Sequence, residues 1–310
     1  MQSKIYQLTD FLPTTKKELE IRGWSEVDVV LFSGDAYIDH PAFGAAVIGR
    51  ILEAQGLQVA IVPQPNWRDD LRDFKKMGKP RLFFAISAGN MDSMVNHYTA
   101  NKRLRSDDAY TPDGKSGMRP DYATITYANI IKKLYPEVPL LIGGIEASLR
   151  RFTHYDYWSD KLMPSILVDT KADLLIYGMG EKPVVELVRQ IKEGKSFAEM
   201  TDIPQTSFAS KEIPQHPKWK DITLVSHDVC LTDKKLYASN FKHIEQESNK
   251  YDAARLLQKA GNRWIVVNPP YEPLNAAELD ASYDLPYTRV PHPKYKGKTM
   301  FDVLYANGVV

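Results

Sequence analysis

Histidine and carboxylate side chains lie close together at three separate points of the sequence. The pairs, in chain order, are Asp39 with His40, Asp92 with His97, and His154 with Asp156. Imidazole and carboxylate groups are ligands for zinc, manganese and iron, so three such loops would form a metal centre if they converged. One alternative is therefore a metal-dependent hydrolase with His40, His97 and His154 as metal ligands. No HxH or HExxH spacing ties two ligands to one element, so this prediction depends on convergence.

Glycine and polar side chains end four of the predicted strands. These ends read SGD from residue 33, SAGN from residue 87, GG from residue 143 and GMGE from residue 178. The carboxyl ends of parallel strands meet at one edge of a sheet, where open α/β folds bind ligands. Glycine at such an end lets a ligand approach the backbone closely. We therefore expect a ligand site at this edge. Its predicted contacts are Asp35, Asn90, Asp92, Asn96, His97, Gly143, Gly144, Glu146, Arg150, Arg151, Gly180 and Glu181.

Two arginines, Arg150 and Arg151, follow the Gly143-Gly144 turn closely. Their guanidinium groups and a helix N-terminus at that turn would bind an anion. Solvated arginines that pair with nearby carboxylates are an equally good interpretation. Neither GxGxxG after the first strand nor GxxxxGK[ST] is present, so a standard nucleotide site is not predicted.

An insertion at residues 88–120 is far longer than an ordinary connection between a strand and a helix. Long connections of this kind are usually lids, binding loops or spacers. Its first part is predicted to form a short helix that carries Asn96 and His97. Lys102, Arg103 and Arg105 add positive charge to the same segment. The insertion is therefore expected to complete the site, with a solvated surface loop as the alternative.

Five apolar segments must position these residues. They read DVVLFSGD, LQVAIVPQP, PRLFFAISAGN, VPLLIGG and KADLLIYGMG, and amphipathic helices or loops separate them. Apolar runs without polar alternation indicate strands that are buried on both faces, as in a parallel sheet flanked by helices. The pattern predicts an open, doubly wound α/β fold.

The character of the sequence changes near residue 200. Short strand-like runs follow, together with one long predicted helix at residues 233–260, and residues beyond 269 are rich in proline and tyrosine. We expect an α/β domain over residues 1–200, an α+β appendage over 201–268 and an extended linker or arm over 269–310. A third functional alternative is a protein-interaction module whose arm docks a partner.

Composition excludes several classes of function. The formal net charge of +1 argues against a nucleic-acid partner. The single cysteine, Cys230, excludes an intrachain disulfide and any zinc or iron–sulfur site that one copy would ligate with cysteines alone. The sequence has no apolar leader and no apolar run long enough for a membrane span. A cytoplasmic protein without membrane association is expected.

Four long segments resemble the N-terminal region of the YgiQ-type radical SAM proteins. They are LFSGDAYIDHPAFGAAVIGRILEAQGLQVAIVPQP, SAGNMDSMVNHYT, LLIGGIEASLRRFTHYDYW and LLIYGMGEKPVVEL, and the resemblance extends to about Lys298. It implies a radical SAM N-terminal domain with a flavodoxin-like or cobalamin-binding-like layout. In that layout Gly143-Gly144 and Gly180-Glu181 occupy the ligand edge.

Two departures from related domains limit the cofactors that this chain would hold. Cobalamin domains with a histidine ligand carry DxHxxG, whereas Asp39 and His40 are adjacent here, which argues against that mode of cobalamin binding. The family's CxxxCxxC triplet, which holds a [4Fe–4S] cluster beside S-adenosylmethionine, is expected just after LPYTRVPHPKYKGK and is missing. Cys230 alone cannot ligate a cluster. We therefore expect a truncated, non-catalytic accessory domain that recognises substrate or an auxiliary ligand and caps a downstream radical SAM domain.

Overall fold

A nine-stranded sheet runs through the computed structural model, which describes residues 6–300. The strands are β1 (Val29–Ser33), β2 (Val59–Pro63), β3 (Phe83–Ser87), β4 (Leu140–Gly143), β5 (His154–Asp156), β6 (Lys161–Met163), β7 (Leu174–Ile176), β8 (Thr206–Ser210), β9 (Asp221–Leu224), β10 (Arg255–Ala260) and β11 (Arg263–Val267). The large sheet has the order β2-β1-β3-β4-β7-β8-β11-β10-β9, and β5 and β6 form a separate hairpin.

Eleven α-helices accompany these strands within residues 6–300. They are α1 (Lys16–Ile21), α2 (Gly44–Ala54), α3 (Arg72–Lys75), α4 (Ser93–His97), α5 (Ala123–Leu134), α6 (Gly144–Leu149), α7 (Ile166–Thr170), α8 (Glu181–Lys192), α9 (His227–Thr232), α10 (Lys234–Ser248) and α11 (Ala276–Tyr283). Short 3-10 turns occur at Leu8–Asp10, Pro112–Gly114, Phe197–Glu199 and Pro293–Tyr295. Within residues 6–300, no helix combines the length and the apolar character that a membrane crossing requires.

The first five strands of the large sheet, β2, β1, β3, β4 and β7, are parallel. Successive side chains of β1 point to opposite faces, so Leu31 packs with the apolar side of α2 and α8 while Val30 packs with α5. Burial on both faces explains why these strands are continuously apolar. The predicted α/β class, with a large and mostly parallel sheet, is confirmed.

The strands after residue 200 continue the same sheet. β8 is antiparallel to both β7 and β11, and β10 is antiparallel to β11 and parallel to β9. The helix predicted at residues 233–260 is wrong beyond Ser248, because residues 255–260 form β10 between β9 and β11. The boundaries proposed at residues 200 and 268 stay a prediction.

The proline- and tyrosine-rich arm packs against the start of the chain as far as the structure describes it. The Thr288 N–H donates to Asp39 Oδ2 at 2.9 Å, and the Tyr37 N–H donates to Tyr295 Oη at 3.1 Å. The His292 N–H donates to the Tyr37 carbonyl at 3.1 Å. These bonds attach the arm to the connection between β1 and α2. The last ten residues of the predicted arm lie outside the described residues.

Candidate functional site

A cavity of about 560 Å³ opens at the carboxyl ends of four neighbouring strands. Its floor carries one apolar side chain from each of them. These are Leu31 of β1, Ala85 of β3, Leu141 of β4 and Ile176 of β7. Ile145 of α6 and Tyr110 of the insertion form part of its walls, and three longer helices form another part. They contribute Gly44, Ala45 and Ile48 of α2, Glu181 and Val184 of α8, and Leu279, Ser282 and Tyr283 of α11. We call this space the strand-edge cavity, and it lies at the edge where the sequence predicts a ligand site.

Glycines at the ends of β4 and β7 expose the backbone to the strand-edge cavity. Gly143, Gly144, Gly178 and Gly180 all line it. Gly144 has a φ of +81°, and a Cβ atom there would lie 2.7 Å from the Ser87 hydroxyl oxygen. Alanine at Gly144 would therefore be strained and would collide with β3. The two turns predicted as ligand contacts do reach the same space.

Two polar residues of the predicted site, Asn90 and Glu181, also line the strand-edge cavity. The Asn90 amide accepts a hydrogen bond from the Gly44 N–H at 3.1 Å and donates one to the Ala42 carbonyl at 3.0 Å. Asn90 thus fixes the start of α2 against the end of β3. Glu181 is the first residue of α8, and its Oε2 atom is buried without a hydrogen-bond partner among residues 6–300. That oxygen remains available to a ligand's donor group.

Asp35 does not line the strand-edge cavity but holds the insertion against the sheet. Its carboxylate lies 2.8 Å from Arg119 Nη2 and accepts the Asn90 N–H at 2.7 Å. Arg119 is fully buried, also contacts Asp108 at 3.2 Å, and donates to the Ala88 carbonyl at 3.0 Å. Burial raises the pKa of Asp35 to about 6, against the opposing effect of Arg119.

Asp92, Glu146 and Arg150 form a second buried network that joins three short elements. Glu146 accepts the Ser93 N–H at 3.0 Å and the Thr124 N–H at 2.8 Å, and so ties α6 to the first turns of α4 and α5. Arg150 pairs with Asp92 and donates to the Glu146 carbonyl at 3.3 Å. Asp92 in turn accepts N–H groups at the start of α4. All three side chains are thus engaged by other groups of the protein, although Arg150 Nε is buried without a partner among residues 6–300.

The remaining predicted contacts line two other cavities. Asn96 and His97 line one of about 340 Å³, within the insertion and the segment after β2. Arg151 lines one of about 250 Å³ near the end of α10, where it donates to the Ser148 carbonyl at 2.6 Å and lies over the Tyr177 ring. Burial lowers the pKa of Arg151. The residues predicted as one site are thus divided among three cavities and two buried networks.

The three histidines of the metal alternative have different neighbours. His40 Nδ1 accepts the Ala42 N–H at 3.0 Å, His97 Nδ1 lies 2.7 Å from Asp121, and His154 Nδ1 lies 3.1 Å from the Phe152 carbonyl. Across residues 6–300, no group of three or more histidine, cysteine, aspartate or glutamate side chains is placed to hold a metal ion. The structure therefore does not bring the three histidines together.

The residues of the cobalamin and cluster motifs do not fit those groups. Asp39, which adjoins His40, is engaged instead by Arg50 Nε at 2.9 Å and by the Thr288 N–H. Cys230 is fully buried against Asn240, and burial raises its pKa. An iron–sulfur cluster needs several thiolates, and this chain contains one thiol.

Sequence reasoning missed Arg119, Asp121 and the contribution of α11. Arg119 lies at the end of an insertion without periodicity and Asp121 directly after it, far along the chain from Asp35 and His97 respectively. The helix α11 lies within the segment predicted as an extended arm, although NAAE at residues 275–278 is a capping-box pattern that indicates a helix start. Asn275 and Glu278 do form that capping box, and the helix presents Tyr283 to the strand-edge cavity.

A family model and several curated relatives match this chain over most of its length. A family model described as "Radical SAM N-terminal" matches residues 11–303. A UPF0313 protein of Bacteroides thetaiotaomicron is 65% identical over 306 residues, covering 95% of this chain and 49% of the relative. A UPF0313 protein of Porphyromonas gingivalis is 62% identical over 96% of this chain and 47% of its own length. A UPF0313 protein of Methanocella arvoryzae is 50% identical over 91% of this chain and 47% of its own length. The chain spans about half the length of the curated relatives it matches.

Proposed function

Since the chain belongs to the radical SAM N-terminal family, we propose that it recognises a small-molecule ligand for a longer radical SAM protein. The observation that carries the proposal is the strand-edge cavity of about 560 Å³ at the carboxyl ends of four parallel strands. Open α/β sheets bind ligands at this edge, and the volume lies within the ordinary range for small-molecule sites. A cytoplasmic location is part of the same proposal.

The order of the parallel strands supports this position for the site. β7 is the fifth of them along the chain, so the order β2-β1-β3-β4-β7 corresponds to the 2-1-3-4-5 order of flavodoxin-like sheets. In such sheets the ligand lies where the order reverses, between the first and third strands. Leu31 of β1 and Ala85 of β3 both form the floor of the strand-edge cavity.

The lining defines the chemistry of the ligand. Aliphatic side chains form the floor, and the glycine turns after β4 and β7 leave room for a broad, flat group to contact the backbone. The buried Glu181 Oε2 lacks a donor. We therefore expect a largely apolar or planar molecule with a hydrogen-bond donor or a cationic group directed at Glu181.

The second half of the longer protein would carry out the chemistry. The family resemblance implies a [4Fe–4S] cluster and S-adenosylmethionine there, which would supply radical chemistry, and this chain offers no thiolate set for the cluster. The contribution of residues 6–300 is to bind and orient the ligand and to exclude water from it. The helix α11 covers one side of the strand-edge cavity through Leu279 and Tyr283.

The test is retention of small molecules by the purified chain. The chain is equilibrated with a bacterial metabolite extract, separated by gel filtration, denatured, and the released compounds are identified by mass spectrometry. Ala45→Phe places a ring in the strand-edge cavity from a partly exposed position on α2. Retention of at least one compound by the wild type, and about a tenfold loss in this variant, is expected.

The matched control is Ala54→Phe, an exposed position on the same helix that does not line the strand-edge cavity. It should retain the compound like the wild type, whereas Glu181→Gln should weaken retention of a cationic compound. If the wild type retains nothing, or if Ala45→Phe retains the compound fully, the proposal is wrong.

A further inference from the structure

The cavity of about 340 Å³ that Asn96 and His97 line is separate from the strand-edge cavity. It is formed by Trp67 and Arg68 after β2 and by residues of the insertion and its end, including Arg105 and Asp121. We call it the insertion cavity. No residue lines both spaces. Whatever it binds is therefore a question independent of the function proposed above.

His97 presents one unused nitrogen to the insertion cavity. Its side chain is 7% exposed, and Nδ1 lies 2.7 Å from Asp121 Oδ1. A carboxylate offers no proton, so Nδ1 carries the hydrogen of this bond. Asp121 also accepts the Tyr98 hydroxyl at 2.8 Å. His97 Nε2 is buried and has no hydrogen-bond partner among residues 6–300.

Asn96, the preceding residue on α4, also has a buried side-chain nitrogen without a hydrogen-bond partner among residues 6–300. Its side chain is 6% exposed, and its Nδ2 has no partner within the described part of the chain. A buried amide nitrogen without an acceptor is costly, and native structures rarely leave one unfilled. Two adjacent buried side chains that line one cavity thus each have a polar atom without a hydrogen-bond partner among residues 6–300. Asn96 Nδ2 needs an acceptor oxygen and His97 Nε2 needs a donor, so the combination points to a ligand that carries both, as a protonated phosphate group does.

Two guanidinium groups at the rim favour a negatively charged ligand. Arg68 and Arg105 line the insertion cavity, and neither one forms an ion pair within residues 6–300. Arg105 is held in place by Nε, which donates to the Tyr98 carbonyl at 3.3 Å, so its terminal nitrogens remain free. A guanidinium group matches the oxygens of phosphate and carboxylate groups in two-point contact.

The other charged groups around the insertion cavity include more carboxylates than cations. Arg119 lies between the carboxylates of Asp35 and Asp108, and Asp121 is engaged by His97. Asp107 also lines the cavity and forms no ion pair within residues 6–300. The lining as a whole is therefore not positive, and an anion is favoured by the two unpaired guanidinium groups rather than by the net charge.

From these contacts we propose that the insertion cavity binds a phosphate group through Asn96, His97 and Arg105. The Asn96 amide and the Arg105 guanidinium donate to the phosphate oxygens. His97 Nε2, the ring nitrogen without the hydrogen, accepts from a protonated phosphate oxygen, while Asp121 holds the ring through Nδ1. The phosphate is either the free ion or the phosphoryl group of a larger ligand that extends toward Trp67.

Calorimetric titration of the chain with inorganic phosphate tests the proposal, with sodium chloride at equal ionic strength as the reference. Saturable binding with a dissociation constant of about 1 mM or below is expected. Arg105→Gln and His97→Gln should each weaken it about tenfold. The matched control is Arg103→Gln, because Arg103 is an exposed arginine of the same segment that does not line the insertion cavity.

A second measurement does not depend on whether the variants fold. In the wild type, the imidazole signals of His97 in an NMR spectrum should shift saturably as phosphate is added. Absence of saturable binding, an unshifted His97 signal, or equal weakening by Arg103→Gln would overturn the proposal. Tighter binding of a phosphate monoester than of inorganic phosphate assigns the site to a larger ligand, and equal binding assigns it to the free ion. Ala45→Phe should leave phosphate binding unchanged, which separates this result from the ligand test of the strand-edge cavity.

Discussion

One guanidinium group between two buried carboxylates dominates the electrostatics of the sheet edge. Arg119 contacts both Asp35 and Asp108, and all three side chains are almost completely buried. A single positive charge cannot compensate two negative charges in a region without water. The raised pKa of Asp35, about 6, is the physical consequence. Protonation of Asp35 at mildly acidic pH relieves this excess charge.

The stability of the protein should therefore reveal Asp35 through its pH dependence. The pKa of Asp35 is higher in the folded chain, about 6, than its ordinary value of 3.8, so its contribution is fully present below pH 3.8 and is lost as the pH rises through 6. The change amounts to about 3 kcal/mol of unfolding free energy. The measurement is urea unfolding of the wild type and Asp35→Asn across this pH range, and the difference between them should fall as the pH rises.

The exposed Asp70→Asn is the matched control, and its difference from the wild type should lack this fall. A wild-type advantage over Asp35→Asn that grows with pH would contradict the prediction, because it would mean that Arg119 outweighs burial. The structural role of Asp35 itself could not be predicted from the sequence. Its partner Arg119 follows far along the chain, in a segment with no periodicity that would place it.

At the scale of elements, the short helices around the edge depend on a carboxylate that is not their own. Glu146 of α6 accepts backbone N–H groups at the starts of α4 and α5, and its side chain is fully buried. Each of these N–H groups belongs to a first helical turn, where no partner exists within the helix. Glu146 therefore links three elements that the chain separates widely.

We expect Glu146→Ala to lower the free energy of unfolding by about 3 kcal/mol, because it leaves buried N–H groups of Ser93 and Thr124 without acceptors. The comparison is Glu193→Ala, which removes an exposed glutamate at the end of α8. Urea unfolding measures both. A loss in Glu146→Ala no larger than that in Glu193→Ala would refute this account of the carboxylate.

The elements differ in how far the sequence could predict them. The parallel strands were predicted because burial on both faces makes each one a continuous apolar run, as in VVLFS of β1. The sequence predicts helix for β10 because RLLQKA has no apolar–polar alternation and follows α10 after a short gap. What decides its structure is pairing with β9 and β11 on either side, and local sequence does not record such pairing. The division of the site among cavities is hidden for the same reason, since it depends on contacts between distant segments.

At the scale of the whole molecule, the arm completes the fold by returning to its beginning. Asp39 lies between Arg50 of α2 and the Thr288 N–H of the arm, while His292 lies 3.3 Å from Glu18 of α1. Residues near both ends of the described chain thus share one set of bonds. An arm held this way should behave as part of the sheet's own structure.

Limited proteolysis with trypsin can measure this attachment. In the wild type, cleavage after Arg289 and Lys294 should be slow, because an arm segment must detach before a protease can bind it. Asp39→Asn removes charge from the contact with Thr288 and should speed cleavage at these two sites about tenfold relative to cleavage after Lys192. Rapid cleavage of the wild-type arm would instead favour a free arm that waits for a partner.

The hydrogen bond between Asp39 and Thr288 can form only late in the synthesis of the chain. The two residues are 249 positions apart. A ribosome that adds about 5–20 residues per second needs roughly 12–50 s to cover that distance. During this interval β1 and α2 have already been synthesised, while Phe11 and Tyr37 lack the His292 ring of the arm that packs against both. The surface around Phe11 and Tyr37 is therefore open to chaperones and to association with neighbouring nascent chains until His292 has been synthesised.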